Sequence, residues 1–461
     1  MSKKSEKTEY TPQPVLPDLS ELPGQGLAYK LPVYAKPVDS SITAQKDLDV
    51  VILFLQKLKE NQYSYASYRS ELERFLHWSW HIEKASLINH DEFALARYLK
   101  FFKAPTPAAN WIGTTIVPRF LLDEGTGERT VNPDWRPFVA KVAKALIAAR
   151  HDVLKAEAIN RGDKSKIPKP RAEISDYAPA ASTIAAAVRI LSSLYEFMAI
   201  KKMVPLNYVK LIPQRKTLIG ASGKPNRIMR VTKNQWKYVI KTAELMADND
   251  DKHERTLFIM SFLYLNYLRI SELVHDHLSK PMMSDFWQDP DENWWLHIVG
   301  KGVKDRDIPI SDDMLKALAR YREHRGLQPY PTYDEEEPLI LVERTRIIQE
   351  GENKGEIDPD QALRSTRAVR ELVQQCFDQA YERMLAVKTS DPAKQKAKAA
   401  SLRTATVHWL RHTGISEDVK RRKLTHVMKD AGHEKIVTTG LYIEVEDQDR
   451  HETAKTKKLH G

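Results

Sequence analysis

The sequence predicts a mainly α-helical protein in two parts, with a small β-sheet or hairpin confined to the second. Three observations carry this. Apolar residues recur at i, i+3 and i+4 through most of the chain. The stretch from Trp294 to Ile310 instead carries aromatic and β-branched residues, broken at Gly300 and Gly302. A cationic, glycine-containing run at 214–233 separates the two helical halves.

Residues 1–40 are rich in Lys, Glu, Pro and Ser without periodicity, so a mostly disordered arm is expected there. A helical domain then spans 41–213. Val50, Val51, Phe54, Leu55 and Leu58 make one apolar stripe, and Tyr68, Leu72, Phe75 and Leu76 another. Asp91 to Phe102 is a third helix. An insertion at about 104–181 interrupts this domain. Its first part holds Pro105, Pro107, Pro118, Pro133 and three glycines, which suits an irregular segment or a hairpin. Val139 to Ala158 is helical, and 160–181 is a Lys/Pro/Arg-rich loop. Ser182 to Lys201 closes the domain as a helix, with Ile184, Val188, Leu191, Leu194, Tyr195 and Met198 on one face.

The linker at 214–233 contains Arg215, Lys216, Lys224, Arg227, Arg230 and Lys233 and no acid. Such a run is a solvated surface or a strap along a phosphate backbone. The second domain, 234–461, begins with helices at Asn234–Ala247 and Arg255–Leu265. Strands at Trp294–Val299 and Arg306–Ile310 follow, joined by a turn from Gly300 to Asp305. Met314–Arg325 and Glu371–Val387 are helical. An acidic insertion at about 330–361 is too polar for core.

Composition bounds the function classes. The chain has 461 residues, 42% of them hydrophobic, a net charge of +10 and one cysteine, Cys376. Its pI is about 9.2 and its mean hydropathy −0.51. A disulfide framework and a cysteine-rich zinc site are excluded. The first residues lack the apolar core of a secretory signal, and no membrane helix is expected, so a cytoplasmic protein is. The excess of cations suits nucleic acid. No H-E-x-x-H, paired carboxylates or G-K-[ST] loop occurs, so neither a metal nor another cofactor is expected.

Several polar residues admit two readings each. Arg269 follows an apolar run and needs a partner. It either salt-bridges Glu272 or clamps a phosphate with Glu272 orienting it. His408 and Arg411 stand at i, i+3 on one helical face, as a surface pair or as an anion site. Gly432 before His433 reads as a helix C-cap. Tyr442, among Leu441, Ile443 and Val445, reads as core or as a nucleophile. Lys301, Lys304 and Arg306 lie at the hairpin and read as solvated or as backbone contacts. His412 and His426 are read as structural.

These residues also resemble a family. Leu268-Arg269-Ile270-Ser271-Glu272-Leu273, Gly300-Lys301-Gly302, His408-Trp409-Leu410-Arg411-His412-Thr413, Gly432-His433 and Tyr442 resemble, in order, the motifs of the tyrosine recombinases of the phage integrase type. The likeness covers about residues 230 to 450. It implies a helical N-terminal DNA-binding domain followed by a catalytic domain. It makes Arg269 and Arg411 phosphate clamps, Glu272 their support, His408 a hydrogen-bonding or proton-transfer group and His433 a donor to the scissile phosphate. Lys301 becomes the acid for the leaving 5′ oxygen, with Lys304 as the other candidate at that turn, and Tyr442 the nucleophile of a 3′-phosphotyrosine link. Arg215, Lys216, Lys224, Arg227, Arg230, Lys233, Lys304 and Arg306 become DNA contacts. The implied partner is double-stranded DNA carrying specific recombination sites, bound by a homotetramer on paired sites, with the protein on the nucleoid when engaged. No motif names an accessory protein or calls for a membrane. The same residues suit a type IB topoisomerase-like enzyme that relaxes DNA. A non-catalytic DNA-binding relative, or an unrelated basic helical protein, fits them less well.

Overall fold

The computed structural model describes residues 10–24, 28–35, 39–123, 125–161, 170–220, 229–276, 279–300, 304–343, 347, 361–440, 442 and 454–457, without the side chains of 145, 159, 304 and 437. It divides into two compact units, Met1–Pro225 and Asn226–Gly461. The division falls within the expected linker. That segment is not uniformly irregular, because Arg215–Ile219 is helical and a longer helix begins at Lys233.

The N-terminal unit is built from α1 (Ala44–Leu55), α2 (Gln62–Trp78), α3 (Glu92–Lys103) and a short α4 (Ala108–Trp111). Strands β1 (Ile112–Gly113), β2 (Phe120–Leu122), β3 (Arg129–Val131) and β4 (Phe138–Val139) follow. Then come α5 (Lys144–Asn160), α6 (Ala181–Ile200) and α7 (Arg215–Ile219). Capping sets two of the starts. The Asn61 side chain accepts from the Ser64 N–H at 2.9 Å, and Asp91 from that of Ala94 at 2.7 Å. Leu72, Phe75, Leu76 and Trp78 of α2 meet Ile184, Leu191, Leu194 and Tyr195 of α6 in one core. Among the described residues α6 is long and apolar enough to cross a membrane, yet it is a core helix here with nine buried residues. Within the insertion β2 and β3 form the expected hairpin, while β1 pairs with β4 in parallel.

The expected disordered arm is partly packed. Val15 and Leu16 are buried, and their N–H groups donate to Glu73 at 2.7 and 3.0 Å. Arg119 of the insertion donates to the same carboxylate at 2.7 Å and to Asp18 at 2.9 Å. One buried acid thus ties arm and insertion to α2. Composition conceals this because the anchoring residues are few and lie between prolines.

The C-terminal unit opens with α8 (Lys233–Asn249), started by a Thr232–Gln235 capping box, and α9 (Glu254–Leu265). Helix α9 is apolar on all sides, with Leu257, Phe258, Ile259, Met260, Phe262 and Leu263 buried, so it is the hub of the core. An antiparallel sheet of β5 (Phe286–Gln288), β6 (Trp294–Gly300) and β7 (Lys304–Pro309) follows, with Trp295 opposite Pro309 and Gly300 opposite Lys304. Strand β5 is an addition to the expected hairpin. Beyond α10 (Asp312–His324) the acidic insertion is not wholly outside the core. Leu339 and Ile340 are buried, and the Glu335 carboxylate accepts a bidentate pair from buried Arg322 at 2.7 and 2.8 Å. Helices α11 (Thr366–Leu385), α12 (Pro392–Ala399), α13 (Val407–Asp418), α14 (Leu424–Asp430) and α15 (Ile436–Gly440) complete the unit. Gly414 lets α13 approach the end of α9. A Cβ there would overlap the Tyr264 carbonyl and lie 2.9 Å from Cδ1 of Tyr267.

Candidate active site

The site forms where α9 ends and where α13 and α14 meet it. After Leu265 the chain turns at Tyr267, whose φ of 53° is rare for a non-glycine residue. This turn aims the Tyr267 carbonyl at Arg411, while its buried hydroxyl donates to Asp418. Arg269 then precedes a 3₁₀ turn, Ile270–Leu273. Its own N–H donates to Glu272 at 2.8 Å, its Nη1 to the same carboxylate at 2.9 Å, and its Nη2 to the Gly432 carbonyl at 3.1 Å. The salt bridge leaves the Arg269 side chain partly open, with 32% of its surface exposed.

Arg306 is placed differently from expectation. It is no surface contact for a nucleic acid: its side chain is 7% exposed and grips Glu272 bidentately at 3.0 and 2.8 Å. Its Nε donates to the Asp430 carbonyl at 2.9 Å. β7 points this side chain inward, opposite in sense to exposed Asp305. Burial would raise the Glu272 carboxyl, but the hydrogen bonds and charge of Arg306, then of Arg269, hold it below the usual range.

On α13, His408, Arg411 and His412 stand at i, i+3 and i+4 and so share a face. Arg411 is 3% exposed. It donates to the Tyr267 carbonyl, to the Ala431 carbonyl at 2.5 Å and towards His433 Nε2 at 3.2 Å. Burial, then the charge of Arg269, pulls its guanidinium down to about 10, with Glu272 opposing. It remains charged at neutral pH. Three guanidinium groups thus gather around one carboxylate, two of them in direct contact with it.

Helix α14 ends in a Schellman cap. The His433 N–H reaches the Met428 carbonyl at 3.0 Å and the Gly432 N–H that of Lys429 at 3.0 Å. Gly432 has φ 61°, and a Cβ on it would lie 3.4 Å from Arg269 Nη1 and from Cδ and Cζ of Arg306. The glycine is a cap and a spacer between two arginines together. The cap swings His433 towards Arg411. A guanidinium only donates, so His433 Nε2 accepts and Nδ1–H donates to buried Thr439 at 2.8 Å. As an unprotonated acceptor at Nε2, His433 braces Arg411 here; the expected donor role towards a phosphate requires that bond to be exchanged. Burial and the charges of Arg411, Arg269 and Arg306 depress its imidazole to about 4.

Tyr442 is buried in a small cluster with Tyr267, Ile415, Val427 and Ala431. Its ring stacks on His433 at 5.9 Å, and its hydroxyl lies 2.5 Å from His412 Nδ1. Burial raises the phenol, against the pull of Arg411 and Arg269. His412, read from the sequence as structural, is therefore inside the site. Its position four residues after His408 on a helix is the signal that the sequence offers. His408 is exposed at the rim and meets His412 edge-on at 4.2 Å. His426, read the same way, is exposed on α14.

The structure brings together Arg269, Glu272, His408, Arg411, His433 and Tyr442, and adds His412, Arg306 and Thr439. Lys301, Lys224 and Arg227 lie outside the described residues, as does the side chain of Lys304. Arg215 and Lys216 lie on α7, half-buried and exposed respectively; Arg230 is half-buried ahead of α8, and Lys233 is exposed at its start. Among the described residues no cluster of three His, Cys, Asp or Glu has a metal-binding arrangement.

No protein-family model matches the sequence, and no curated protein matches it. Solved structures do resemble the fold. One is the XerH site-specific recombinase bound to palindromic difH substrate in a post-cleavage complex, at 13% identity over 90% of each chain with a TM-score of 0.47. A second is the Tn1549 transposon integrase in complex with circular intermediate DNA, at 12% identity over 89% of this chain and 99% of that one, TM-score 0.45. A third is a lambda integrase dimer bound to a COC′ core site, at 14% identity over 68% and 81%, TM-score 0.36. At such identities and scores, the chemistry rests on the side chains themselves.

Proposed function

We propose that this chain is a tyrosine-type site-specific DNA recombinase. The observation that carries the reading is a buried phenol, Tyr442, in the field of Arg411 and Arg269, with Arg306 held behind them on the Glu272 carboxylate that Arg269 also contacts. An anion is the natural complement of such a site, and a phosphodiester offers the planar oxygen pair that guanidinium groups bind.

In this reading Tyr442 Oη attacks the scissile phosphorus. The new O–P bond makes a 3′-phosphotyrosine, and the P–O5′ bond breaks. Arg269 and Arg411 stabilise charge on the pentacoordinate transition state. Lys301 supplies the proton to the 5′ oxygen. His408, at the rim, and His433, stacked on the phenol, bound the phosphate site. Attack of a partner strand's 5′-hydroxyl on the link then completes exchange, without loss of the phosphodiester's bond energy. Four strands require four tyrosines, so four protomers gather on paired DNA sites. Arg215, Lys216, Arg230 and Lys233 contact the DNA backbone, and the chain acts on DNA inside the cell, as a mobile-element integrase does.

The test uses a randomised library of nicked duplexes, so the DNA site emerges from the experiment itself. The full-length chain is incubated with the library and denatured, and the covalently bound DNA is recovered and sequenced. The expected result is an adduct on Tyr442 by peptide mass mapping, absent from Tyr442→Phe. An adduct on another residue, or one that survives the substitution, rejects the assignment. Exchange between two copies of the recovered site is expected; relaxation of a supercoiled plasmid without paired sites, with no exchange, would make the protein a topoisomerase instead.

A further inference from the structure

Where the phenolic proton goes is open in the reading above. We infer that His412 is the base that takes it from Tyr442. The inference rests on the recombinase reading and concerns a residue to which the sequence motifs assign no chemistry.

The geometry singles out His412 among three imidazoles. The Tyr442 hydroxyl is 2.5 Å from its Nδ1, within the range of a short O–H···N bond. His433 has both nitrogens engaged, Nε2 by the Arg411 guanidinium and Nδ1 by Thr439. His408 touches the phenol through His412 only, edge-on at 4.2 Å. A phenol donating to Nδ1 fixes the His412 tautomer with its proton on Nε2.

The surroundings keep this base empty. Packing around the His412 ring, then His408 and Arg411 on its own helix and His433 from the end of α14, hold the imidazole down to about 3. It is therefore neutral and able to accept at any physiological pH. A weak base this close to a raised phenol holds the hydrogen bond without taking the proton. A phosphodiester entering between Arg269 and Arg411 adds a negative charge that offsets the two guanidinium groups, and this raises the proton affinity of His412. The base strengthens when its substrate arrives. As Oη–P forms, the phenolic proton passes to Nδ1, and the imidazolium faces the phosphorane. In the reverse step, when the partner 5′-hydroxyl attacks, O–P breaks and Nδ1–H returns the proton to the departing phenolate. The proton count closes over one cleavage and one ligation.

Adduct formation on the nicked-duplex library, or on the site recovered from it, tests this with full-length protein. His412→Gln keeps a hydrogen-bond acceptor but takes no proton. Its adduct formation at neutral pH is expected to fall on the order of a hundredfold or more, the usual contribution of a positioned base. The rate should then climb about tenfold per pH unit above neutrality as the phenol ionises, whereas wild type stays level. His412→Gly should regain rate with added imidazole, which guards against misreading a damaged Gln variant. Wild-type rates in the Gln variant, or a loss that neither pH nor imidazole moves, would overturn the inference while leaving the nucleophile intact. Absence of any Tyr442 adduct in the wild-type protein would instead remove the recombinase reading, and the inference with it.

Discussion

Glu272→Gln is the perturbation that most directly probes how the arginines are held. The carboxylate is 2% exposed and accepts from the backbone and side chain of Arg269 and from both terminal nitrogens of Arg306, whose side chain is itself 7% exposed. Glutamine keeps the shape and one acceptor oxygen, so no cavity forms. It removes the carboxylate that Arg306 grips and presents an N–H₂ group to a donor. Breaking a buried ion pair from one side costs about 3–5 kcal/mol, because the remaining charge is buried without compensation. Arg269 adds little, being partly solvated. For a unit of this size such a loss lowers the melting temperature by roughly 10 °C. Hydrogen exchange through a urea series, followed in peptides from β7 and α14 of the full chain, reads this loss where it occurs. The pH dependence supplies a sign. The folded-state carboxyl lies below its unfolded value, so its stabilisation is complete above about pH 4.3 and is lost as pH falls through the folded value. The gap between wild type and variant should therefore close in acid. A loss under about 1 kcal/mol, or a gap that widens in acid, would refute the claim that Glu272 holds Arg306 in place.

Gly432→Ala should cost about 1–2 kcal/mol for the left-handed backbone alone. It should also lower adduct formation more than that strain explains, because the new methyl group presses on Arg269 and Arg306; wild-type adduct formation would reduce the glycine to a cap. Gly414→Ala should lower the melting temperature of the C-terminal unit or prevent its folding, since the Tyr264 carbonyl occupies the space, and an unchanged melting curve would contradict the packing of α13 on α9. On acidification His433 and His412, neutral with values depressed to about 4 and about 3, must gain protons on unfolding. Stability of the C-terminal unit should then be full above about pH 6.5 and fall towards pH 4, a slope that His412→Gln makes shallower in denaturant titrations.

How much of this is legible in the sequence depends on the kind of signal. Helices with a continuous apolar stripe, such as α2 and α6, and the β6–β7 hairpin with its flanking glycines are local features and can be read within a few residues. The order of Arg269, Arg411, His433 and Tyr442 points to one site because motif spacing survives in one dimension. What escapes is set by contacts between distant segments. Val15 and Leu16 are ordinary in sequence and become core only because Glu73 captures their N–H groups. Arg306 looks like any hairpin cation until Glu272 faces it across the fold. His412 escapes because its one mark in the sequence, a position four residues after His408 on a helix, is shared by many structural histidines; the return of the chain at Tyr442 is what brings it a hydroxyl partner. Leu339 and Ile340 are masked by acidic neighbours, whose charges are in part spent on Arg322 and Arg325.

The same contacts bear on why arginine rather than lysine serves at position 411. Of the five N–H donors of a guanidinium, three are directed at the Tyr267 carbonyl, the Ala431 carbonyl and His433 Nε2. Those acceptors come from the end of α9 and the end of α14, so Arg411 joins three chain segments before any anion is present. The donors that remain belong to a group whose position is already set, and on the recombinase reading a phosphate would gain them without reorganising the protein. That is electrostatic preorganisation in its structural form. Lysine carries the charge but has no planar fork, so it would have to choose between holding the carbonyls and meeting the phosphate. Arg411→Lys should therefore fail in two separable ways. Adduct formation should drop on the order of a hundredfold or more. Hydrogen exchange at the Tyr267 turn and at the α14 cap should rise in the protein without DNA. A lysine variant with slow chemistry but unchanged exchange would confine Arg411 to the clamp, and one with loosened caps but full adduct formation would confine it to the strut. Only the joint loss fits a guanidinium that does both.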